Sequence, residues 1–242
     1  MSSLVSARDL AIAGRLEPTS VEIEAGQLVG LIGPNGSGKT SLLHALAGIP
    51  PSLGSVTIAG SSPRALHPDM RQRLFTFLPA SRDVAWPLAA RDFIDLALPP
   101  DTDWTVLEER LELAPLLDRR MDQLSTGERT RVMVARALAP DPLVLLLDEP
   151  IANLDPYWQL AILKVLRDRA SSGGRTVIAA IHDLRAAIGW SDRLILMSER
   201  RCVADAPPLA MLDSGRIEKM FRIALNGSEM TVIAPEDPRS WP

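Results

Sequence analysis

The residues with the most specific chemistry form a glycine-rich stretch directly after a short apolar run at 28–32. Glycines let backbone N–H groups close around phosphate oxygens, a lysine reaches the outer phosphates, and a hydroxyl group binds Mg²⁺. The spacing predicts a phosphate-binding loop between a buried strand and a helix. Its members are Gly33, Pro34, Asn35, Gly36, Ser37, Gly38, Lys39, Thr40 and Ser41.

A helix is predicted to follow this loop over residues 41–47, and Gly48 suits its C-terminal end. The positive end of the helix dipole would then point at the bound phosphates. An accidental glycine-rich turn is the alternative. Because every fixed position of the loop is filled between a strand and a helix, the phosphate site is favoured.

A second candidate site is a pair of carboxylates, Asp148 and Glu149, at the end of the apolar run 143–147. A continuous apolar run suits a strand buried on both faces, and ligands bind at the carboxyl ends of parallel strands. We expect Asp148 to hold Mg²⁺ through water and Glu149 to polarise an attacking water. Two merely solvated carboxylates are the alternative, which a preceding phosphate loop makes the weaker one.

Short apolar and β-branched runs alternate with helical stretches along the chain, a pattern typical of an α/β fold with a parallel sheet. Residues 80–139 differ, since they contain helical stretches, a Pro99-Pro100 break and no convincing strand. We interpret them as a helical subdomain inserted into a core made of 1–79 and 140–242, within a single domain. Strands are predicted at 28–32, 56–59, 143–147, 176–181, 194–197 and near 230–233.

The composition limits the classes of protein to which the chain could belong. It has 242 residues, 46% of them hydrophobic and 23% charged, and a net charge of −4, so we expect a packed core and no nucleic-acid partner. A single cysteine, Cys202, excludes an internal disulfide and fits a reducing compartment. There is no signal-peptide pattern, and no apolar run approaches the roughly 20 residues of a membrane span.

A third motif, Leu-Ser-Thr-Gly-Glu at 124–128, precedes a helix with a periodic apolar face. Ser125 and Glu128 have the spacing of a capping box, so an ordinary helix start is one interpretation. The distance of the motif from the 143–147 strand favours a second interpretation, in which the motif is the signature of a protein family. Here the chain resembles the ATP-binding cassette (ABC) family, whose signature is Leu-Ser-Gly-Gly-Gln. Thr126 and Glu128 depart from that signature.

The resemblance implies a P-loop NTPase core with an N-terminal antiparallel β subdomain, which binds ATP and Mg²⁺ between two head-to-tail copies. Thr40 and Asp148 would be the metal ligands, and Glu149 and His182 the catalytic pair. His182 resembles the switch histidine of the family, and Asp155 in Ala-Asn-Leu-Asp resembles the D-loop aspartate that bridges the subunits. The signature that contacts the γ-phosphate on the other copy would comprise Ser125, Thr126, Gly127 and Glu128.

Two positions depart from the family in ways that bear on the site. Ala80 stands where the family has the Q-loop glutamine, so we expect a weakened Mg²⁺ site with hydrolysis retained through Glu149. Ser81 or water would supply the missing ligand. No aromatic residue precedes Phe75, so adenine lacks its usual stacking partner, and Arg15 could stack its guanidinium instead. Arg200 occupies a place where relatives often carry a turn glycine.

The resemblance extends to one group of transporters. Trp86-Pro87-Leu88, followed by 91–94, resembles a segment of ATPases that import iron chelates, haem and vitamin B12, and 9–26 looks most like the vitamin B12 importer ATPase. This resemblance implies an ATPase that powers a separate permease, with a groove near 80–91 as the site that contacts the permease. It also implies a second ATPase copy, a substrate-binding protein and a place at the cytoplasmic face of the plasma membrane.

Three other functions stay open at this point. The chain could power an exporter, which also uses a separate membrane subunit. It could be a weakly hydrolysing regulatory subunit, as Ala80 suggests, although Glu149 and His182 favour activity. A soluble cassette protein acting on DNA or ribosomes usually carries two cassettes or a coiled-coil insertion, and the sequence shows neither.

Overall fold

The computed structural model describes residues 3–49, 51–82, 87–99, 102–226 and 229–232. The strands are β1 (Val5–Ile12), β2 (Leu16–Ile23), β3 (Leu28–Ile32), β4 (Leu53–Ile58), β5 (Phe75–Leu78), β6 (Val144–Asp148), β7 (Thr176–Ala180), β8 (Arg193–Ser198), β9 (Arg201–Ala206), β10 (Ile223–Asn226) and β11 (Glu229–Val232). The helices are α1 (Lys39–Leu46), α2 (Pro68–Leu74), α3 (Ala90–Asp95), α4 (Thr105–Arg110), α5 (Thr126–Leu138), α6 (Pro156–Ser171), α7 (Leu184–Trp190), α8 (Pro208–Asp213) and α9 (Arg216–Phe221).

The central sheet has six strands in the order β5-β6-β7-β3-β8-β9. The first five are parallel, and β9 closes one edge antiparallel to β8. Every residue of β3, β6 and β7 is buried, as expected for parallel strands covered on both faces. The predicted α/β fold with a parallel sheet is therefore confirmed.

A second sheet, β2-β1-β4, is antiparallel and lies at the N-terminal end of the chain, as the resemblance implies. Its buried residues share one hydrophobic cluster with α1 and with one face of the central sheet, through side chains such as Leu31, Leu42 and Ile178. The opposite face of the central sheet packs with α3, α5 and α6 in a second cluster. The fold thus has helices on both faces of the sheet, with α1 beneath the antiparallel strands.

The segment between β5 and β6 contains α3, α4 and α5 and, in its described residues, no strand. Strands β5, β9 and β10 were not predicted, and β1 and β2 were expected only through the family resemblance, without bounds. β5 follows α2 without an intervening turn residue, and β9 is an edge strand in which polar residues interrupt the apolar pattern. Within the described residues, no helix has the length and apolarity needed to cross a bilayer.

The sheet order positions the predicted site residues. The three neighbouring strands β6, β7 and β3 run parallel, so their carboxyl ends meet at one edge of the sheet. At this edge lie Asp148, the last residue of β6, Glu149 directly after it, His182 after β7, and the glycine-rich loop after β3. The topology therefore brings together residues that lie more than 100 positions apart in the sequence.

Candidate functional site

The glycine-rich loop follows β3 in a backbone conformation that requires glycine. Gly33 has φ +152°, and a Cβ built there would lie 2.2 Å from the Met197 carbonyl oxygen. Gly38 has φ +102°, and its Cβ would lie 3.0 Å from Arg200 Cα. An L side chain at either position would meet backbone atoms, which explains why the loop needs these two glycines.

Helix α1 begins at this loop without a side-chain cap. Its N-cap residue is Gly38, and the first turn contains no acidic residue. An uncapped N-terminus presents backbone N–H groups and the positive end of the helix dipole, both of which attract an anion. This geometry suits a phosphate group in the loop.

Lys39 crosses the mouth of the loop. Its Nζ donates to the carbonyl oxygens of Gly33 at 2.8 Å and Pro34 at 3.0 Å. The residue is only 7% exposed. Burial lowers the pKa of Lys39, and the nearby carboxylates Glu149 and Asp148 oppose this effect. The ammonium group is therefore held by the loop itself, in the place where phosphate oxygens would meet it.

Asp148 at the end of β6 is 1% exposed, and its Oδ2 is buried without a hydrogen-bond partner among the described residues. Burial raises the pKa of Asp148, while a hydrogen bond with the Thr40 side chain lowers it. A hydroxyl beside a carboxylate oxygen that lacks a partner is the donor set that Mg²⁺ prefers. Thr40 and Asp148 therefore fit the metal that the sequence predicts.

Glu149 and His182 are in contact. Glu149 Oε1 lies 2.6 Å from His182 Nε2, and the side chains are 33% and 43% exposed. Glu149 has φ +54°, an unfavourable region for a residue with a side chain, and its N–H donates to the Ala180 carbonyl at 3.2 Å. Strands β6 and β7 thus present a carboxylate and an imidazole that share a hydrogen bond.

Lys39, Thr40, Glu149 and His182 line one pocket of about 300 Å³, whereas Asp148 does not line it. Its lining residues are Gly14, Arg15, Asn35, Gly36, Ser37, Gly38, Lys39, Thr40, Ser41, Glu149, His182 and Arg200. Arg15, the predicted stacking partner of adenine, lines this pocket, and no described Phe, Trp or Tyr side chain does. The role of Arg200 here was not predicted: its Nη1 donates to the Gly14 carbonyl at 2.6 Å.

The predicted signature residues lie at the start of α5. Ser125 Oγ accepts from the Glu128 N–H at 3.3 Å, and Glu128 Oε2 accepts from the Ser125 N–H at 2.8 Å. The predicted capping box is therefore confirmed. Ser125 and Thr126 are exposed, and Gly127 and Glu128 are half-buried. None of these four residues lines the pocket of the glycine-rich loop in the same chain.

Asp155 is the N-cap of α6, where its Oδ1 accepts from the Trp158 N–H at 3.1 Å. The neighbouring Leu154 packs beside the signature, since a Cβ on Gly127 would lie 3.4 Å from its side chain. The predicted D-loop and signature are therefore adjacent to each other.

A separate cleft of about 820 Å³ lies between β5, α3 and α5. Its lining includes Phe77, Ser81, Leu96 and Met133, so Ser81 faces a different cavity from the phosphate loop. Of the described residues in the predicted groove near 80–91, Ser81 alone lines this cleft, and the other lining residues lie in 68–79, 93–97 and 133–140. Trp86, on which the importer resemblance partly rests, lies outside the described residues.

Comparison with protein families and curated proteins gives a consistent result. The model of the ABC transporter family matches residues 16–152. The cobalamin import ATP-binding protein BtuD of Halobacterium salinarum is 36% identical over an alignment of 242 positions, which covers 94% of this chain and 61% of that protein. The hemin import ATP-binding protein HmuV of Bordetella avium is 33% identical over 226 residues, with 86% of each chain covered.

Solved structures with similar folds include the dimeric ATP-binding cassette MJ0796 in a post-hydrolysis state bound to ADP and Pi, with a TM-score of 0.76 and 23% identity over 84% of this chain and 98% of that one. Another is cbiO1 from Clostridium perfringens, part of the ABC transporter complex cbiONQ, with a TM-score of 0.75 and 22% identity over 90% of this chain and 94% of that one. These similarities establish the fold.

Proposed function

Because the chain belongs to the ABC transporter family, we propose that it is the ATP-hydrolysing subunit of a transporter whose permease is a separate chain. The observation that carries this proposal is the single pocket lined by Lys39, Thr40, Glu149 and His182. It holds a cation for phosphates, a hydroxyl for a metal, and a carboxylate paired with an imidazole. Together these groups provide the chemistry of phosphoryl transfer to water.

Each residue has a role in this proposal. Lys39 and the N-terminus of α1 bind the phosphates of ATP, and Glu149 orients and deprotonates the attacking water. His182 holds the Glu149 carboxylate through their 2.6 Å contact and senses the γ-phosphate. Thr40 and Asp148 would hold Mg²⁺, which supplies charge neutralisation at the β- and γ-phosphates when bound. The remaining loop residues, from Gly33 to Ser41, supply backbone donors.

The signature and the D-loop point to a second copy of the chain. Ser125, Thr126, Gly127 and Glu128 begin α5 away from their own loop pocket, and Ser125 and Thr126 are exposed. In a head-to-tail homodimer this helix start would face the γ-phosphate on the partner, with Asp155 beside the dimer axis. ATP would then hold the two copies together, and hydrolysis would release them.

The cleft between β5, α3 and α5 is the proposed contact with the permease. It combines apolar side chains such as Phe77 and Leu96 with Arg71 and Arg136, which suits an amphipathic helix that carries an acidic residue. The elements from α3 to α5 would form the helical subdomain, residues 80–139, within one domain. The ATPase would therefore sit as a peripheral subunit on the cytoplasmic side of a membrane.

Import of haem or a cobalamin-like cargo is the direction and substrate class that we infer. The support is the similarity to curated ATPases named for hemin and cobalamin import. The chain spans 61% of the length of the halobacterial relative, and 86% of the length of the Bordetella one. A substrate-binding protein would complete the importer.

The decisive experiment compares MgATP hydrolysis by the wild-type chain and by Glu149→Gln. We expect the substitution to lower turnover by about 100-fold or more, because it removes the base while leaving the phosphate contacts in place. The Kd for ATP should stay within about threefold of wild type. An ATP-bound dimer should accumulate, and light scattering after size-exclusion chromatography would detect it.

Glu109→Gln, an exposed substitution on α4, is the matched control and should behave as wild type. If the wild-type chain binds ATP and hydrolyses none, alone or with its permease, the chain is a regulatory subunit and the proposal is wrong.

Ala80→Gln would restore the family pattern. We expect it to raise the ATPase rate and to lower the Mg²⁺ concentration needed for half-maximal activity.

A further inference from the structure

The guanidinium group of Arg82 connects the ends of two strands in the central sheet. Its Nη2 donates to the carbonyl oxygens of Glu149 at 2.7 Å and Asp148 at 3.2 Å. Its Nη1 donates to the carbonyl oxygen of Pro79, the residue that follows β5. Because β5 and β6 are paired in parallel, with Leu78 opposite Leu147, these three carbonyls lie at the same edge of the sheet.

The environment of Arg82 fits a fixed contact rather than a solvated side chain. The residue is half-buried. Burial lowers the pKa of Arg82, and the carboxylates of Asp148 and Glu149 oppose this by favouring the charged form. Removing part of a cation from water is costly unless hydrogen bonds compensate for it, and here the guanidinium donates to three main-chain carbonyls.

The backbone of Arg82 is tied in turn to the helix that carries the signature. Arg129, in α5, donates from Nη1 to the Arg82 carbonyl at 3.4 Å. The same guanidinium donates to the carbonyls of Met121 and Leu124, both at 3.1 Å. Arg82 therefore links two elements. Its carbonyl is hydrogen-bonded to Arg129 of α5, and its guanidinium is hydrogen-bonded to the Glu149 carbonyl.

The Glu149 backbone needs such support. Its φ of +54° is unfavourable for a residue with a side chain, and such conformations persist where surrounding contacts hold them. Its N–H donates to the Ala180 carbonyl, and its own carbonyl accepts from Arg82 at 2.7 Å and from the Ala152 N–H at 3.2 Å. Both peptide groups that flank the Glu149 side chain are thus hydrogen-bonded.

We propose that Arg82 is a positioning residue that holds the Glu149 backbone and so keeps its carboxylate beside His182 and the phosphate loop. This inference rests on the proposed function. Ala80 has no group that could link the segment after β5 to the Asp148–Glu149 end of β6. The Arg82 side chain makes that link instead, through backbone carbonyls rather than through a metal or a water.

The first test compares the steady-state kinetics of Arg82→Ala, Arg82→Lys and the control Arg73→Ala, an exposed arginine of α2. Arg82→Ala should lower kcat by about tenfold or more, because a small displacement of the base costs rate. Its KM for ATP should change by less than about twofold, since Arg82 does not line the pocket. Arg82→Lys keeps the charge without the planar fork, so its kcat should be intermediate.

The second test is amide hydrogen exchange in the nucleotide-free protein. Loss of the Arg82 contacts should speed exchange at least about threefold in the peptide that covers 149–152, relative to Arg73→Ala. This readout requires no hydrolysis. If the wild-type chain proves inactive, the proposed function fails and exchange in this peptide still decides the role of Arg82. An unchanged kcat in Arg82→Ala, or unchanged exchange at 149–152, would overturn the inference.

Discussion

Helices α1 and α5 begin in opposite ways, although we propose that both N-termini bind phosphate. The N-cap of α1 is Gly38, whose conformation favours glycine and which has no side chain to cap the helix. The N-cap of α5 is Ser125, which exchanges two hydrogen bonds with Glu128. The first N–H groups of α1 therefore have no side-chain cap, whereas the start of α5 is capped by the Ser125 and Glu128 side chains.

The uncapped start of α1 and the capped start of α5 suit two different kinds of phosphate contact. An open N-terminus gains its missing hydrogen bonds from the ligand, so it favours tight binding within one chain. A capped N-terminus is stable before any ligand arrives, and a side-chain cap contributes about 1 kcal/mol. For Ser125 to bind a phosphate on the partner, its hydroxyl must be shared between the cap and the ligand. This suits a contact that forms and breaks in every cycle.

The largest expected effect is at the open helix start. Lys39→Ala should lower the ATPase rate by about 100- to 1,000-fold, because it removes a preorganised cation from the developing charge. ATP affinity should fall as well, which isothermal titration calorimetry would measure. Lys164→Ala, at an exposed position of α6, is the control. Wild-type ATP affinity in Lys39→Ala would show that α1 is not the phosphate site.

Ser125 allows the cap and the phosphate contact to be separated. Ser125→Ala should lower the free energy of unfolding by about 1 kcal/mol and the ATPase rate by about tenfold or more. Ser125→Asp should keep the stability, since aspartate is also a good N-cap, yet place a negative charge against the γ-phosphate. Urea unfolding and ATPase assays would measure both. An active Ser125→Asp variant would contradict the trans contact.

In the pocket of the glycine-rich loop, a substitution at the proposed adenine contact should weaken ATP binding less than one at the phosphate contacts. Arg15→Ala should weaken ATP binding by about three- to tenfold, the loss expected for a guanidinium stack of about 1 kcal/mol. Binding of inorganic triphosphate should not change, since it has no base to stack. Arg8→Ala, on the exposed side of β1, is the control. Equal weakening for both ligands would show that Arg15 acts on phosphate.

The smallest effect is expected at Glu128, where the chain departs from the signature. Glutamine retains the oxygen that accepts from the Ser125 N–H but loses the 2.7 Å ion pair with Arg119. Glu128→Gln should therefore cost only about 0.2–1 kcal/mol at pH 7 and change the ATPase rate less than about twofold.

The loss of free energy of unfolding in Glu128→Gln should depend on pH. The Ser125 N–H and Arg119 lower the pKa of Glu128 below its ordinary 4.5. The contribution of the charged form is therefore present above about pH 4.5 and is lost as the pH falls through the folded-state pKa. The free energies of unfolding of wild type and Glu128→Gln should differ at pH 7 and converge as the pH falls below the folded-state pKa of Glu128. A difference that keeps its size throughout an acid titration would contradict this cause.

Much of the architecture was predictable because the central strands are buried on both faces. The runs at 28–32 and 143–147 contain almost only apolar residues, so their identity as strands did not depend on long-range information. β5 escaped prediction because it is short, contains Thr76 and directly follows α2. In β9 the alternation of buried and exposed residues is weak, since an edge strand has one neighbour.

The pocket was predictable where function demands a residue type at a fixed spacing, as for Lys39, Glu149 and His182, which all line it. Arg82 was not, because its partners are the main-chain carbonyls of residues 66 and 67 positions away. Any residue type presents a carbonyl, so no pattern marks such a contact. Arg200 escaped for a similar reason, since it reaches the Gly14 carbonyl across the fold.

The position of β5 at the edge of the sheet has a mechanical consequence. β6, β7, β3 and β8 are each bonded to two neighbours, whereas β5 is bonded to β6 alone. A load on the wall of the cleft that bends β5 outward would therefore stretch one ladder of four residue pairs and leave the remaining ladders intact. The sheet is stiff at its centre, where the pocket lies, and compliant at the margin next to the cleft.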